Sequence, residues 1–175
     1  MAYGWEGEKV RLVPLDPGKH RENAILWLND PETTRWLLVD MPITRLQEKR
    51  YFEEMMITKE ERVPFAVETL QGEHVGFTGL HEIQPRHRCA RSGIVIGAPH
   101  QRKGYGIDAI RVRTRFAFEA LGLRLLLTET MAENEASRRT LRKAGYEEMG
   151  VLPGRYWRRG AFRDVVQLYM ENPKG

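Results

Sequence analysis

The chain has 175 residues, of which 41% are apolar, 30% charged and 9% aromatic, a composition typical of one well-buried globular domain. It shows no apolar stretch near the ~20 residues of a membrane span, no secretory signal pattern in residues 1–6, and one cysteine, Cys89, so we expect a cytoplasmic protein without disulfides or a thiolate metal cluster. The net charge of +4 is uneven, because residues 1–89 carry 12 Lys and Arg against 15 Asp and Glu while residues 90–175 carry 16 against 9, which places any polyanion site in the second half.

The first third of the chain predicts one short strand followed by helices. Val10–Leu15 alternates between apolar and polar residues and stops at the turn residues 16–18. Apolar residues then repeat at helical spacing over 20–28, where Asn-Asp-Pro ends the helix. Residues 33–38 are interpreted as a second short helix or an irregular lid. A further helix runs from its N-cap Thr44 to Ile57, and its buried side is expected to carry Leu46, Phe52, Met55 and Met56.

Three antiparallel strands are expected next, at 65–68, 74–80 and 89–96. The first two form a hairpin across residues 70–73, and the third continues the meander. The apolar end of the third strand, Ile94–Ile96, runs into Gly-Ala-Pro, after which the chain becomes rich in glycine and basic residues.

The second half predicts an amphipathic helix, a buried strand, a second helix and two final strands, at 108–121, 123–130, 135–144, 147–158 and 162–170. In the first of these helices the core face is expected to carry Ile110, Val112, Phe116, Ala117 and Leu121, and the other faces Arg111, Arg113 and Arg115. Asn134 is the expected cap of the second helix, and Gly145 ends it.

These elements predict one α+β domain over residues 1–175, with a mixed, mainly antiparallel central sheet flanked by helices. The helix at 108–121 is a crossover connection, so the strands at 89–96 and 123–130 are expected to be parallel neighbours.

The segment Gln101-Arg102-Lys103-Gly104-Tyr105-Gly106 lies between the end of a strand and the start of a helix. A helix N-terminus has unpaired N–H groups and partial positive charge, and glycines let a phosphate approach those groups. The segment therefore predicts a phosphate cradle, and a glycine-rich turn without function is the alternative.

Two other phosphate motifs fit this segment less well. The spacing Gly-x-Gly-x-x-Ala, with Glu129 further along, matches a relaxed dinucleotide fingerprint, but seven residues separate Ile96 from Gly104, whereas that fingerprint begins where the strand ends. A Walker A loop is excluded because no Gly-Lys-Ser/Thr closes the segment.

Residues 99–109 resemble the pyrophosphate-binding signature of the GNAT superfamily of N-acetyltransferases, Gln/Arg-x-x-Gly-x-Gly/Ala. Residues 134–146 resemble the Asn-x-x-Ser/Ala and Lys-x-Gly-Phe segment of the same family. The stretches 11–16, 27–31 and 160–164 are similar to the branch that includes ribosomal-protein N-terminal acetyltransferases and spermidine acetyltransferases. The similarity spans nearly the whole chain.

The resemblance implies acetyl-CoA as cosubstrate, no metal, and a sheet splayed at its parallel pair, where the pantetheine arm lies as a pseudo-strand. The splayed strand would then offer the backbone groups of Ile94, Val95 and Ile96. The pyrophosphate would lie on the loop formed by Gln101, Arg102, Lys103, Gly104, Tyr105 and Gly106. Asn134 and Ser137 would bond the arm near the thioester, and for Asn134 an ordinary helix cap is the alternative.

Members of this family usually transfer the acetyl group directly to an amine in a ternary complex. Neutralising an alkylammonium of pKa ~10.4 near pH 7 costs ~4.6 kcal/mol, but an α-amine of pKa ~7.8 only about 1 kcal/mol. Glu129, which precedes Asn134 near the end of a strand, is the first candidate for general base, and Glu82 is the second. For each of them a solvated or ion-paired glutamate is the alternative.

The tyrosine that commonly protonates the leaving thiolate in this family is replaced here by Leu141. Ser137, aided by water, is the remaining candidate for the acid, and Tyr146 is expected in the core. Arg91 stands where the family often has a glutamate. A backbone N–H of Val95 or Ile96 would polarise the thioester oxygen.

The acceptor pocket is expected between residues 29–42 and the last hairpin, with walls formed by Trp36, Leu37, Tyr156 and Trp157 and a rim of Arg155, Arg158 and Arg159. A basic rim disfavours polycations, so we predict a peptide or protein N-terminal α-amine as acceptor. The alternative is a small-molecule amine such as a polyamine, an amino sugar or an antibiotic, for which an acidic face could come from Glu53, Glu54, Glu60 and Glu61.

Two non-catalytic functions remain as alternatives. One is an acetyl-CoA sensor with the same fold, and the other is a nucleic-acid-binding module using the arginines of 111–115 and 138–143. Nucleic acid is disfavoured because those helices have apolar faces and no recognised motif accompanies the arginines, which also serve solubility. We expect a monomer or homodimer that does not enter a membrane.

Overall fold

A mixed sheet of seven strands forms the centre of the part of the chain that the structure describes. The structure is a computed structural model and describes residues 5–39, 41–57 and 60–174, with the side chain of Met56 excepted. The strands are β1 (Val10–Val13), β2 (Val63–Thr69), β3 (His74–Gln84), β4 (Cys89–Ile96), β5 (Leu125–Met131), β6 (Glu147–Arg158) and β7 (Ala161–Glu171). The helices are α1 (Pro17–Leu28), α2 (Arg45–Met56), α3 (Tyr105–Glu119) and α4 (Glu135–Ala144), with short 3-10 turns at Thr33–Trp36 and Ala98–His100.

Three of the features expected from the sequence fall partly outside this description. They are the amino-terminal pattern, of which residues 1–4 are not described, the 29–42 segment, which contains Asp40, and the burial of Met56.

The strands lie in the order β1-β2-β3-β4-β5-β7-β6, and every neighbouring pair among them is antiparallel except β4 with β5. The predicted mixed sheet and the crossover through α3 are therefore confirmed. The ladder of the parallel pair joins only Cys89–Arg91 to Leu125–Leu127. Beyond these residues the two strands diverge, as the resemblance implied.

Helices cover both faces of the sheet. Side chains alternate between the two faces along a strand, so successive residues of β3 show what packs on each face. On β3 the ring of Phe77 contacts Phe52 of α2 and Trp27 of α1. The next side chain, Thr78, faces the other way and accepts a hydrogen bond from Arg113 of α3. The main core lies between the sheet, α3 and α4 and includes Leu80, Ile110, Leu126, Leu141, Tyr146 and Leu168.

Local capping explains where three helices begin. The Asp16 side chain accepts the N–H of Gly18 at 2.8 Å, and Pro17 follows at the first helical position, so α1 begins within the predicted turn rather than at residue 20. Thr44 and Gln47 form a reciprocal capping box, which confirms the predicted start of α2. The predicted bounds of α4 and its Asn134 cap are also confirmed.

Several predicted faces and bounds are corrected by the structure. The helix expected from residue 108 begins at Tyr105, because Gly104 adopts a left-handed conformation as its N-cap. Leu46 and Leu121, expected in the core, are 58% and 39% exposed. Arg113, expected on an outer face, is fully buried because its side chain reaches back into the sheet. No helix in the described ranges is long and apolar enough to span a membrane.

Candidate active site

The diverging strands β4 and β5 enclose a cavity of about 350 Å³, which we call the gap cavity. Side chains close its narrow end, where Thr128 Oγ1 donates to the Ser92 carbonyl at 3.0 Å and Ser92 Oγ donates to the Leu127 carbonyl at 3.3 Å. Its walls include Trp36, Leu37, Gly93, Ile94, Arg113, Glu129, Asn134, Ser137, Leu141 and Tyr156. An extended ligand can therefore lie between the strands and meet backbone groups that the ladder leaves unpaired.

The phosphate loop predicted at residues 101–106 lies where β4 leads into α3. Gly104 has φ 86°, a conformation that favours glycine, and a Cβ at this position would lie 2.9 Å from the mobile end of the Lys9 side chain, Nζ. No side chain caps the first N–H groups of α3, which stay available to an anion. Gln101 Nε2 donates to the Ile96 carbonyl at 3.0 Å and ties the loop to the strand.

A cation that the sequence analysis missed also lies at this loop. Lys9 Nζ donates to the Lys103 carbonyl at 3.0 Å, although the two residues are far apart in the chain. The backbone beside it is held by Asp108 of α3, whose carboxylate accepts the N–H groups of Glu8, Lys9 and Val10 at 3.2, 2.8 and 2.9 Å. Strand β1 is thereby held against the helix that carries the phosphate loop.

Glu129, the first candidate for general base, lies in the wall of the gap cavity with both carboxylate oxygens engaged. Its Oε2 accepts from Arg91 at 2.8 Å and its Oε1 accepts from the Tyr156 hydroxyl at 2.6 Å. The hydrogen bond to Glu129 raises the pKa of Tyr156, and burial adds to the effect. Arg91, noted in the sequence only as a departure from the family pattern, is thus the ion-pair partner of this glutamate.

The other predicted site residues divide between the gap cavity and the surface. Trp36, Leu37 and Tyr156 line the cavity, and so do Asn134 and Ser137, where the Asn134 side chain accepts the Ser137 N–H at 3.1 Å as a helix cap.

The structure does not bring two predicted residues into either of the cavities described here. Glu82 is exposed at a positive φ of 49°, and Trp157 is 60% exposed and packs on Phe162. Arg158, expected at the rim, is only 6% exposed. Its Nη2 donates to the Thr34 carbonyl and so supports the 3-10 turn at Thr33–Trp36.

A second cavity, of about 470 Å³, lies between the sheet and the helices α1 and α2, and we call it the helix-side cavity. Its walls are mainly apolar and include Leu15, Leu28, Phe52, Met55, Phe65 and Phe77. It shares Leu37, Gly93 and Ile94 with the gap cavity, so the two spaces meet at the residues where β4 leaves β5.

Two titratable side chains that the sequence analysis missed line the helix-side cavity. His81 approaches Gly93, since its Cε1 is 3.8 Å from the position of a Cβ there, and desolvation lowers the pKa of His81. Glu48 of α2 is only 3% exposed, its Oε1 has no hydrogen-bond partner among the described residues, and burial raises the pKa of its carboxyl. The apolar spacing of α2 gave no signal for a buried carboxyl.

Arg113 crosses the floor of the site from α3 and is 0% exposed. Its Nη1 donates to Thr78 Oγ1 and to the Gly93 carbonyl, both at 2.9 Å, and its Nη2 donates to the Tyr146 hydroxyl at 3.2 Å. Within the described residues no carboxylate forms an ion pair with it, and its Nε has no hydrogen-bond partner. No three His, Cys, Asp or Glu side chains there cluster as metal ligands.

A family model described as acetyltransferase (GNAT) domain matches residues 9–147. The chain belongs to the GNAT acetyltransferase family. The predicted membership of the GNAT acetyltransferases is thereby confirmed, while the family model does not decide the acceptor.

Curated relatives of this GNAT chain include acetyltransferases from three bacteria. It is 34% identical over 102 residues to the uncharacterized N-acetyltransferase YoaA of Bacillus subtilis, which is 58% of both chains. It is 29% identical to spermidine N(1)-acetyltransferase of Vibrio cholerae over 63% of this chain and 64% of that protein, and 31% identical to the Escherichia coli enzyme of that name over 59% and 55%. The matches thus span between about half and two thirds of these relatives.

Solved structures support the same fold for this GNAT chain. Spermidine N-acetyltransferase from Vibrio cholerae in complex with CoA and spermine superposes with a TM-score of 0.85 at 23% identity, over 93% of this chain and 95% of that one. The predicted acyl-CoA N-acyltransferase fold is therefore confirmed. Two of the three named relatives are spermidine acetyltransferases and the third is uncharacterized, so the narrower prediction of a ribosomal-protein branch gains no support from them.

Proposed function

We propose that this chain transfers the acetyl group of acetyl-CoA to a primary amine of a small molecule. The observation that carries the proposal is the junction of the gap cavity and the helix-side cavity at Leu37, Gly93 and Ile94. Direct transfer requires donor and acceptor to meet in a near-attack arrangement. Because the two cavities meet at the same strand residues, the acetyl donor can reach the junction through one cavity and the amine acceptor through the other.

The residues around the gap fit the coenzyme. The open N–H groups at the start of α3, with Arg102, Lys103 and Lys9 beside them, suit a pyrophosphate, and Gly104 leaves the space that it needs. The ladder with β5 does not reach Ile94, Val95 and Ile96, whose backbone would bond the pantetheine arm on that side. Asn134 and Ser137 line the opposite wall. The bound coenzyme supplies the activated acetyl group.

The amine must lose a proton during the transfer. Its nitrogen attacks the thioester carbon, a C–N bond forms, the C–S bond breaks, and the electron pair leaves with sulfur. Glu129 can take the proton by exchanging its bond from Tyr156 for one from the amine. His81, whose exposed side chain lines the helix-side cavity, is a second acceptor, and desolvation lowers the pKa of its imidazole. Ser137 stays the predicted proton donor to the thiolate.

The small-molecule alternative finds more support than the peptide α-amine that we predicted first. Relatives named spermidine N(1)-acetyltransferase point to a small amine. The helix-side cavity offers the Glu48 carboxyl, buried and without a bond to Oε1, to a positively charged nitrogen. Burying a charge without a partner costs several kcal/mol, which a bound ammonium would offset.

The positions of the charged groups divide the two ends of the helix-side cavity. His81 approaches Gly93 at the junction with the gap cavity, whereas Glu48 and Tyr51 lie on α2, with Arg62 also in that part of the lining. We therefore place the reacting nitrogen near Gly93 and a second, charged nitrogen at Glu48. The apolar walls between them suit a methylene spacer, as in a diamine or polyamine.

Coenzyme binding is tested by isothermal titration of acetyl-CoA into wild type, Gly104→Glu and Gly160→Glu. Both glycines have positive φ, 86° and 79°, but a Cβ at Gly160 meets nothing within 4 Å, so this variant controls for backbone strain. We expect loss of binding only in Gly104→Glu. Unchanged affinity in that variant would remove the loop from the coenzyme site.

Acceptor choice is tested by following thiol release with diamines, polyamines, monoamines and peptides. We expect the highest kcat/KM with an acceptor that carries two amines. Turnover with peptides alone would restore the first prediction, and coenzyme binding without turnover on any amine would favour a sensor.

A further inference from the structure

The leaving thiolate needs stabilisation that the predicted acid alone does not supply. Sulfur departs with a full negative charge, and the position at which this family commonly carries a tyrosine is occupied by Leu141, which lines the gap cavity with a hydrocarbon side chain. A positive charge fixed near the sulfur would lower the barrier for C–S cleavage without transferring a proton.

Arg113 places such a charge at the junction of the two cavities. The thioester carbon must lie where donor and acceptor spaces meet, and Gly93 is one of the residues they share. Arg113 lines the gap cavity, and its Nη1 lies 2.9 Å from the Gly93 carbonyl oxygen. The guanidinium is therefore a neighbour of the reacting group on the coenzyme side of the junction.

The environment of Arg113 is unusual for a structural arginine. A fully buried guanidinium is normally paired with a carboxylate, because burial of an isolated charge is costly. Here its described partners are neutral oxygens of Thr78, Gly93 and Tyr146, and its Nε has no partner. The site thus holds an uncompensated positive charge, which an anion formed in the gap would neutralise.

The groups that accept hydrogen bonds from Arg113 also form hydrogen bonds with other residues. Thr78 Oγ1 donates to the Gly93 carbonyl at 2.8 Å, and the Tyr146 hydroxyl lies 3.2 Å from Ser92 Oγ. Each of the three acceptors of Arg113 therefore has a second hydrogen-bond partner that does not involve the guanidinium.

We propose that Arg113 stabilises the coenzyme A thiolate electrostatically as the C–S bond breaks, in place of the tyrosine that Leu141 replaces. The amine proton still passes to Glu129 or His81, and the thiolate is protonated afterwards from Ser137 or water. The inference rests on the proposed acetyl transfer and adds the group that carries the leaving-group charge.

Arg113→Met and Arg113→Lys test this role against a structural one. The first measurement is the pKa of the thiol of bound coenzyme A, read from the ultraviolet absorbance of the thiolate in each complex. The charged groups Glu129 and Arg91 and the titratable group His81 also face this region, and all three are common to the variants. We expect the thiol pKa to be at least one unit higher in Arg113→Met than in wild type, with Arg113→Lys between them.

Turnover and stability complete the test. We expect kcat to fall about tenfold or more in Arg113→Met, as a one-unit shift implies, while KM for coenzyme changes less and the unfolding midpoint is kept. An unchanged thiol pKa with normal turnover overturns the role of Arg113 and leaves acetyl transfer intact. Loss of kcat together with a lowered midpoint and an unchanged thiol pKa shows a structural role. Failure of wild type to bind coenzyme A overturns both proposals.

Discussion

Removal of the Asp108 carboxylate should destabilise the fold through three backbone N–H groups at once. Asp108 is 7% exposed and accepts from Glu8, Lys9 and Val10, residues that lie at the start of β1 about a hundred positions earlier in the chain. In Asp108→Ala these groups lose their acceptor, and the alanine methyl cannot replace it. Charge-assisted bonds of this kind are stronger than neutral ones.

The magnitude follows from the burial of each donor. Val10 is 0% exposed, so its unpaired N–H costs about 2 kcal/mol, and the half-buried N–H groups of Glu8 and Lys9, which water reaches, cost about 1 kcal/mol each. The expected loss in free energy of unfolding is about 4 kcal/mol, equivalent to a fall in Tm of about 12 °C for a domain of this size. Asp108→Asn keeps one accepting oxygen and should lose about half as much.

Urea and thermal unfolding followed by circular dichroism measure this effect. Asp164→Ala is the matched control, because the exposed Asp164 carboxylate accepts one N–H, that of Gly154 at 2.8 Å, and its loss should cost about 1 kcal/mol or less. Coenzyme affinity should fall in Asp108→Ala as well, since Lys9 reaches the phosphate loop. Equal unfolding midpoints for the two alanine variants would refute the reasoning.

Three further predictions concern the site and its pH dependence. Glu129→Gln should lower turnover mainly below the pKa of the amine. A pH–rate profile identical to wild type would assign the role of base to His81 instead. The variant His81→Asn is assayed in parallel. Glu48→Gln should raise KM for diamines more than for monoamines, and equal effects on both would remove Glu48 from acceptor binding. Burial lowers the pKa of His74 to about 4. Between pH 6.5 and 4 the imidazole is therefore protonated in the unfolded chain but still neutral in the folded chain. The free energy of unfolding should therefore fall by about 3 kcal/mol as the pH drops through that window, which urea titrations at stepped pH will measure, and His74→Gln should remove this dependence.

Local signals in the sequence were sufficient for most of the elements. Helix caps and stops act within a few residues, so Thr44, Asn134 and Gly145 mark helix ends that the structure confirms. The phosphate loop was predicted for the same reason, since its glycines and the following helix are contiguous. Asp16 was misread as part of a turn because an N-cap and a turn use the same residue type.

Part of the strand order also followed from local patterns, namely the meander of β2, β3 and β4, the parallel pair β4 and β5, and the final hairpin, whereas the positions of β1 beside β2 and of β7 beside β5 were not predicted. The crossover helix between two apolar strands predicted a parallel pair, since such connections join neighbouring parallel strands. Periodicity could not show where the ladder of β4 and β5 ends, because that depends on the register between strands separated by a whole helix.

Side-chain groupings across the sheet were decided by tertiary structure. The bond network of Glu129 joins residues from β4, β5 and β6, and Glu48 and Arg113 lie on helices at charged positions that periodicity assigns to solvent. Whether a charged residue on an amphipathic helix points outwards or into a cavity depends on what packs opposite it, and those neighbours are distant in the chain. Local hydrogen bonding thus determined the elements of this protein and the glycine turn at the start of α3, whereas the packing of those elements determined which charges are buried at its centre.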